Sequence, residues 1–150
     1  MTTVLDEPAD LIKLVGQRLG TTDWMPITQQ QVDLFAEATG DHQWIHIDPQ
    51  RAARGPFGGT VAHGYLTLSL APVVISHVLQ IRELTAALNY GVNKVRFPAA
   101  IPVGSKIRAS VTVMSAQQKT SGVESVFTLS YEIEGEERPG CVADVIVLYP

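Results

Sequence analysis

The stretch that most constrains the fold runs from His63 to about Gln80, H-G-Y-L-T-L-S-L-A-P-V-V-I-S-H-V-L-Q. It is apolar nearly all round. A helix with no polar stripe must be buried on every side, so the pattern predicts one long central helix enclosed by the rest of the chain. Pro72 removes one backbone hydrogen bond in its middle and predicts a kink there. The apolar run extends over Val61–Ile81, but two His, two Ser and a Pro interrupt it. A membrane span needs ~20 predominantly apolar residues, so a core helix is the better reading.

What encloses that helix is read from the flanks. After Arg82 the chain changes character. Leu84–Phe97 reads as a strand interrupted near Gly91, and Pro98, Pro102 and Gly104 make a turn-rich break. Lys106–Met114 alternates Ile107, Ala109, Val111 and Val113 with Lys106, Arg108, Ser110 and Thr112, the period of a half-buried strand. Val123–Ile133 and Cys141–Leu148 follow, separated by the polar turn E-G-E-E-R-P-G.

Upstream, residues 1–8 read as a loose arm and Asp10–Val15 as a short helix. Gly20–Met25 reads as a short strand closed by Pro26. Thr28 is a candidate N-cap for a helix from Gln29 to about Ala38, which Gly40 ends. Val32, Phe35 and Ala36 share one face of it. Asp41–Ile47 is expected as a loop. Asp48 caps a second short helix with Pro49 at its first position, and Gly55–Gly59 is irregular. The class is α+β. A single antiparallel sheet wrapped around the apolar helix accounts for the whole order of elements, the architecture called a hotdog.

A chain of 150 residues without repeat or linker predicts one domain over 1–150. The net charge of −4 argues against a general nucleic-acid binder. Cys141 is the only cysteine, which excludes an intrachain disulfide and a cysteine-based zinc site. Of the histidines His42, His46, His63 and His77, only His42 and His46 stand four apart, on a segment expected as a loop rather than a helix, so no metal set is read. The acidic start M-T-T-V-L-D-E-P-A-D lacks a signal pattern, which predicts a cytoplasmic protein.

Chemistry is concentrated in F-A-E-A-T-G-D-H-Q-W-I-H-I-D-P-Q-R-A, Phe35–Ala52. Asp41 and His46 stand five residues apart there. A carboxylate and an imidazole on one loop can converge on a single water, one accepting a proton and the other orienting the water or delivering a proton. Spacing alone leaves other readings open. An Asp after Gly also serves as a turn residue, and a His in an I-H-I setting also serves as a satisfied core histidine.

These residues resemble the signature of the R-specific enoyl-CoA hydratases, in the MaoC-like dehydratase family. That signature is an aromatic residue, a short spacer, Gly-Asp, Asn-Pro, an aliphatic residue, His, and a small residue six positions on. The chain supplies Phe35, Thr39, Gly40, Asp41, Ile45, His46 and Ala52 in register. It departs at Gln43 and Trp44, where the family usually carries Asn and Pro, and Ala38 is smaller than the usual aliphatic residue. The resemblance extends to F-G-G-T-V-A-H-G-Y at Phe57–Tyr65 and to R-F-P-A-A-I-P-V-G-S at Arg96–Ser105.

The resemblance implies reversible addition of water to a trans-2-enoyl-CoA, giving a (3R)-3-hydroxyacyl-CoA. It implies Asp41 as the proton acceptor, His46 as the group that holds the water and shuttles the proton, and the N–H of Gly64 as the oxyanion donor. A helix N-terminus offers unpaired N–H groups for that purpose, and this is the better reading of Gly64, the alternative being close packing of helix and sheet. His63 reads as structural rather than catalytic. Some relatives carry a Ser near the thioester, but that place falls on Pro72, so no hydroxyl is assigned.

Tyr65, Ile75 and Val78 fit either an acyl tunnel or ordinary core. Lys94 and Arg96 share a face at period two and fit either the phosphates of coenzyme A or a solvated surface. No metal or redox cofactor is implied, coenzyme A being part of the substrate. A homodimer is expected, because one sheet around one helix leaves an exposed edge and an open cleft. Three alternatives remain: an acyl-CoA thioesterase, a fatty-acid-synthesis dehydratase subunit acting on a carrier-protein substrate, and a non-catalytic acyl-binding module.

Overall fold

The computed structural model describes residues 2–150. Its frame is an antiparallel sheet of β2 (Arg18–Thr21), β6 (Lys106–Lys119), β7 (Gly122–Ile133), β8 (Cys141–Tyr149) and β5 (Leu88–Arg96), side by side in that spatial order. A two-residue strand, β3 (Met25–Pro26), also pairs with the start of β6. The alternation read in Lys106–Met114 holds as far as Val113, where a register shift before Ser115 ends it. It places Ile107, Ala109, Val111 and Val113 opposite Ile133, Tyr131, Leu129 and Phe127. Tyr131, Leu129 and Phe127 in turn face Cys141, Ala143 and Val145 of β8. These rows form the concave face, and burying each large apolar side chain there contributes ~1.5–3 kcal/mol.

Two helices lie against this face instead of one. α4 (Gly64–Ser69) and α5 (Ala71–Val78) are separated at Leu70. The expected kink is therefore a break. Pro72 has no N–H for a carbonyl one turn back and sits at the second position of α5, where that N–H is not needed. Leu66, Thr67, Ala71, Val74 and Val78 are buried. Tyr65, Ser69, Pro72, Val73, Ser76 and His77 are exposed. Burial on every side is thus not observed: the sheet covers only one face of the segment.

The amino-terminal arm is not loose. Thr3–Leu5 forms β1, which runs parallel to β4 (Leu79–Ile81). The Asp6 carboxylate meets Arg82 at 2.6 Å just beyond it. Pro8–Leu14 forms a 3-10 turn that buries Leu11. The strand expected over Gly20–Met25 is split into β2 and β3. Between them Thr22 pairs with Ala109 of β6 through both its backbone and its hydroxyl. The strand expected from Leu84 begins only at Leu88, and register shifts flank Gly91 and Lys94. No helix among the described residues is long and apolar enough to cross a membrane.

Three short helices fill the mouth of the sheet. α1 (Gln29–Thr39) begins as read, with the Thr28 hydroxyl accepting from the N–H of Gln31. It ends at Gly40, whose φ of +83° is the left-handed cap that glycine adopts without strain. α2 (Trp44–Ile47) is one helical turn inside the expected loop. α3 (Pro49–Ala53) follows at once, and the Asp48 side chain accepts from the N–H of Arg51.

Candidate active site

Asp41 is placed by the end of α1. The left-handed turn at Gly40 reverses the chain, with the Gly40 N–H donating to Ala36 O at 2.8 Å. The Asp41 side chain is half exposed, at 51%. Its carboxylate accepts from the Gln43 N–H at 3.4 Å, the local pattern of an Asx turn.

His46 projects from α2 and is 7% exposed. Its Nδ1 lies 2.7 Å from the carbonyl oxygen of Val61. A carbonyl can only accept, so Nδ1 carries the proton and Nε2 presents a lone pair when the ring is neutral. Nε2 faces Asp41 Oδ2 at 4.0 Å. That gap is too long for a direct hydrogen bond, and one water can reach both atoms across it.

Trp44, where the resembled signature usually carries Pro, is the first residue of α2. Its ring packs on the backbone of Gly55, where a Cβ would lie 2.9 Å from the ring. The Arg51 guanidinium covers the ring at 4.3 Å from its centroid.

Gly64 opens α4, so its N–H is among the first-turn donors that no carbonyl of the same helix takes. The ring of Phe97 lies beside it. His46, Gly64 and Phe97 are shared by two adjoining cavities. One, of about 270 Å³, also has Asp41, His63 and Tyr65 in its wall. The other, of about 340 Å³, is lined by apolar side chains including Ile45, Phe57 and Ile101.

The other residues singled out from the sequence divide. Tyr65 joins the cavity that holds Asp41 and His46, but it is 72% exposed and sits at the mouth, 6.2 Å from the ring of Phe97. Ile75 lies elsewhere, lining two neighbouring cavities between α5 and β8 whose walls do not include Asp41, His46 or Gly64. Val78 is fully buried core. Lys94 and Arg96 are on the exposed strand β5 and line none of these cavities; the Arg96 guanidinium donates to the neighbouring Val95 carbonyl at 2.7 Å.

Sequence reasoning missed Gln29 and Thr60 and gave Phe97 no role. The Gln29 amide donates to the backbone carbonyl of His46 at 2.7 Å, and Thr60 donates to Gln29 Oε1 at 2.7 Å. Those contacts tie the helical turn carrying His46 to the start of α1. They join positions 17 and 31 residues apart, so no local pattern signals them. The fold also gathers Asp41, His46 and His63, with their potential ligand atoms within 4.8 Å of one another. His46 Nδ1 and His63 Nε2 are already engaged with backbone carbonyls.

A family model described as the MaoC-like domain matches residues 11–134. The 3-hydroxyacyl-thioester dehydratase Z of Mycobacterium tuberculosis is 49% identical over 142 residues, covering 94% of each chain. Nodulation protein N of Rhizobium leguminosarum is 43% identical over 143 residues, covering 93% of this chain and 89% of that protein. Among solved structures, the (R)-hydratase from A. caviae involved in PHA biosynthesis superposes with a TM-score of 0.74. At 22% identity it covers 91% of this chain and 96% of that one, a likeness of fold.

Proposed function

This chain belongs to the MaoC-like dehydratase family, and from that premise we propose that it is an R-specific enoyl-CoA hydratase. It interconverts a trans-2-enoyl-CoA and a (3R)-3-hydroxyacyl-CoA. The observation that carries this reading is the pair of groups facing each other at 4.0 Å, the Asp41 carboxylate and the Nε2 lone pair of His46.

A water between the two donates one O–H to Asp41 and the other to His46, leaving an oxygen lone pair for the β-carbon. As the C–O bond forms, Asp41 takes a proton from the water. The electrons of the double bond move onto the thioester oxygen, where the N–H of Gly64 stabilises the charge. The proton then passes by way of His46 to the α-carbon, and the thioester carbonyl is restored. The hydroxyl ends on the β-carbon and the hydrogen on the α-carbon. Dehydration is the same path reversed. The thioester itself stabilises the enolate, so the proposal names no metal or redox cofactor.

The relative named as a 3-hydroxyacyl-thioester dehydratase supports the same chemistry and favours a second reading in the dehydrating direction, on a 3-hydroxyacyl thioester. We further propose that the working unit is a homodimer. Strand β5 supports this, since it is an outer strand of the sheet with Leu88, Tyr90 and Val92 exposed.

Purified protein mixed with crotonyl-CoA tests the proposal. Loss of the conjugated enoyl absorbance, without thiol release and with a product oxidised only by an R-specific dehydrogenase, is the expected result. Release of free thiol would make the protein a thioesterase. Absence of both signals, repeated with longer acyl chains, would leave an acyl-binding module as the better account.

A further inference from the structure

We propose that His63 is a positioning residue, which fixes the Asp41 carboxylate opposite His46 by holding the Asp41 main chain. The inference rests on the reading of Asp41 and His46 as an acid–base pair.

Asp41 is weakly held by its own segment. It follows a glycine in the left-handed region, and its side chain is half exposed. Its backbone N–H reaches Thr39 Oγ1 and its carboxylate accepts from Gln43, both at 3.4 Å, the long limit of a hydrogen bond. The firm contact comes from far along the chain. Nε2 of His63 lies 3.0 Å from the Asp41 carbonyl oxygen. That oxygen can only accept, so His63 carries its proton on Nε2 and donates.

The ring that donates is itself fixed. His63 is 2% exposed. It stacks on His46 with centroids 3.9 Å apart and planes at 25°, and the ring of Phe35 leans on it at 4.8 Å. One buried imidazole therefore touches both members of the pair, holding the backbone of Asp41 and backing the ring of His46.

Packing alone does not explain a histidine here. Its Nδ1 is buried with no hydrogen-bond partner among the described residues. A buried polar atom without a partner carries a penalty that a Phe or Leu of similar bulk would avoid. What the imidazole supplies, and a hydrocarbon ring cannot, is a directional N–H that sets where Asp41 sits. A small misplacement of a reacting group can cost ~10²-fold in rate.

The test uses full-length variants with crotonyl-CoA. His63→Phe keeps the stacked ring and loses the donor. His63→Gln loses the ring and keeps an N–H at the reach of Nε2. The proposal expects His63→Phe to lower kcat at least ~10-fold with KM nearly unchanged, and His63→Gln to recover to within about threefold of the parent rate. Equal losses in the two variants, or a normal rate in His63→Phe, would overturn it. Asp41→Asn and His46→Gln run alongside. Normal rates in those two would instead overturn the acid–base reading itself. Should His63→Phe not fold, ring nitrogen NMR of the parent protein still decides. The proposal requires a proton on His63 Nε2, and a ring protonated on Nδ1 alone would refute it.

Discussion

Phe97 packs against the α-carbon of Gly64, so closely that a Cβ on Gly64 would come within 3.2 Å of three atoms of the ring. Phe97 is 40% exposed and forms a shared wall of the two cavities that meet at His46. Gly64→Ala would push it into that space, where the thioester oxygen is placed in the proposed mechanism. The expected outcome is a fall in kcat of ~10²-fold, the size seen when an oxyanion donor is removed. The thermal midpoint should change little, because a half-exposed ring can turn away. Steady-state kinetics and a thermal melt on one preparation check both halves.

Asp41→Asn and His46→Gln should each lower kcat by at least ~10²-fold, the lower bound of general acid–base assistance. Their stabilities should differ. The half-exposed Asp41 side chain contributes little to packing, so Asp41→Asn should melt close to the parent. His46→Gln gives up the 2.7 Å contact to Val61 and the stack on His63, and should melt lower. A near-normal rate in either variant would sink the mechanism.

The surface left open by a single sheet and a half-covered helix predicts association. Light scattering should give about twice the mass of one chain at micromolar concentration. Tyr90→Lys combined with Val92→Lys should shift it to the monomer, since like charges would then face each other across paired edges. A monomer mass for the parent protein at every concentration would contradict the dimer.

Burial pushes the thiol of Cys141 up from 9.0 to about 11. It is completely covered in the core. A thiol reagent at pH 8 should leave the native protein unlabelled and react fully only once the protein is unfolded. The sign of the pH effect follows. Below pH 9 the thiol is protonated in both states and favours neither. Between pH 9 and 11 the unfolded thiol ionises while the folded one holds its proton, so stability falls as pH rises. Cys141→Ala should flatten a denaturation-against-pH curve most plainly between pH 9 and 10, because the buried Tyr131 and Tyr149, both raised from 10.0, add a slope of the same sign from pH 10 upward.

Much of the fold was legible where the signal is local. The Thr28 cap, the glycine at position 40, the Asp48–Pro49 start of α3 and the alternation of β6 all depend on neighbours within a few residues. So does the pairing of an acid and an imidazole on one short segment. The arm at Thr3–Leu5 was misread because what orders it lies at Leu79–Ile81. The helix was misread as continuous and fully buried because composition records that residues are apolar and not which side a single sheet covers.

The amino-acid sequence by itself determined α1, α3 and the strands β6 to β8, the family, and the presence of Asp41, His46 and Gly64 in the chain. Only the tertiary structure decided that His46 Nε2 faces Asp41, that Phe97 walls Gly64, and that Ile75 belongs to different cavities. It alone placed His63 beneath His46 with its N–H on Asp41 and braced His46 through Gln29. The reason is physical. A cap, a turn or a strand period is set by bonds between near neighbours. The 4.0 Å gap between two side chains is set by carbonyls and rings that distant segments bring to it.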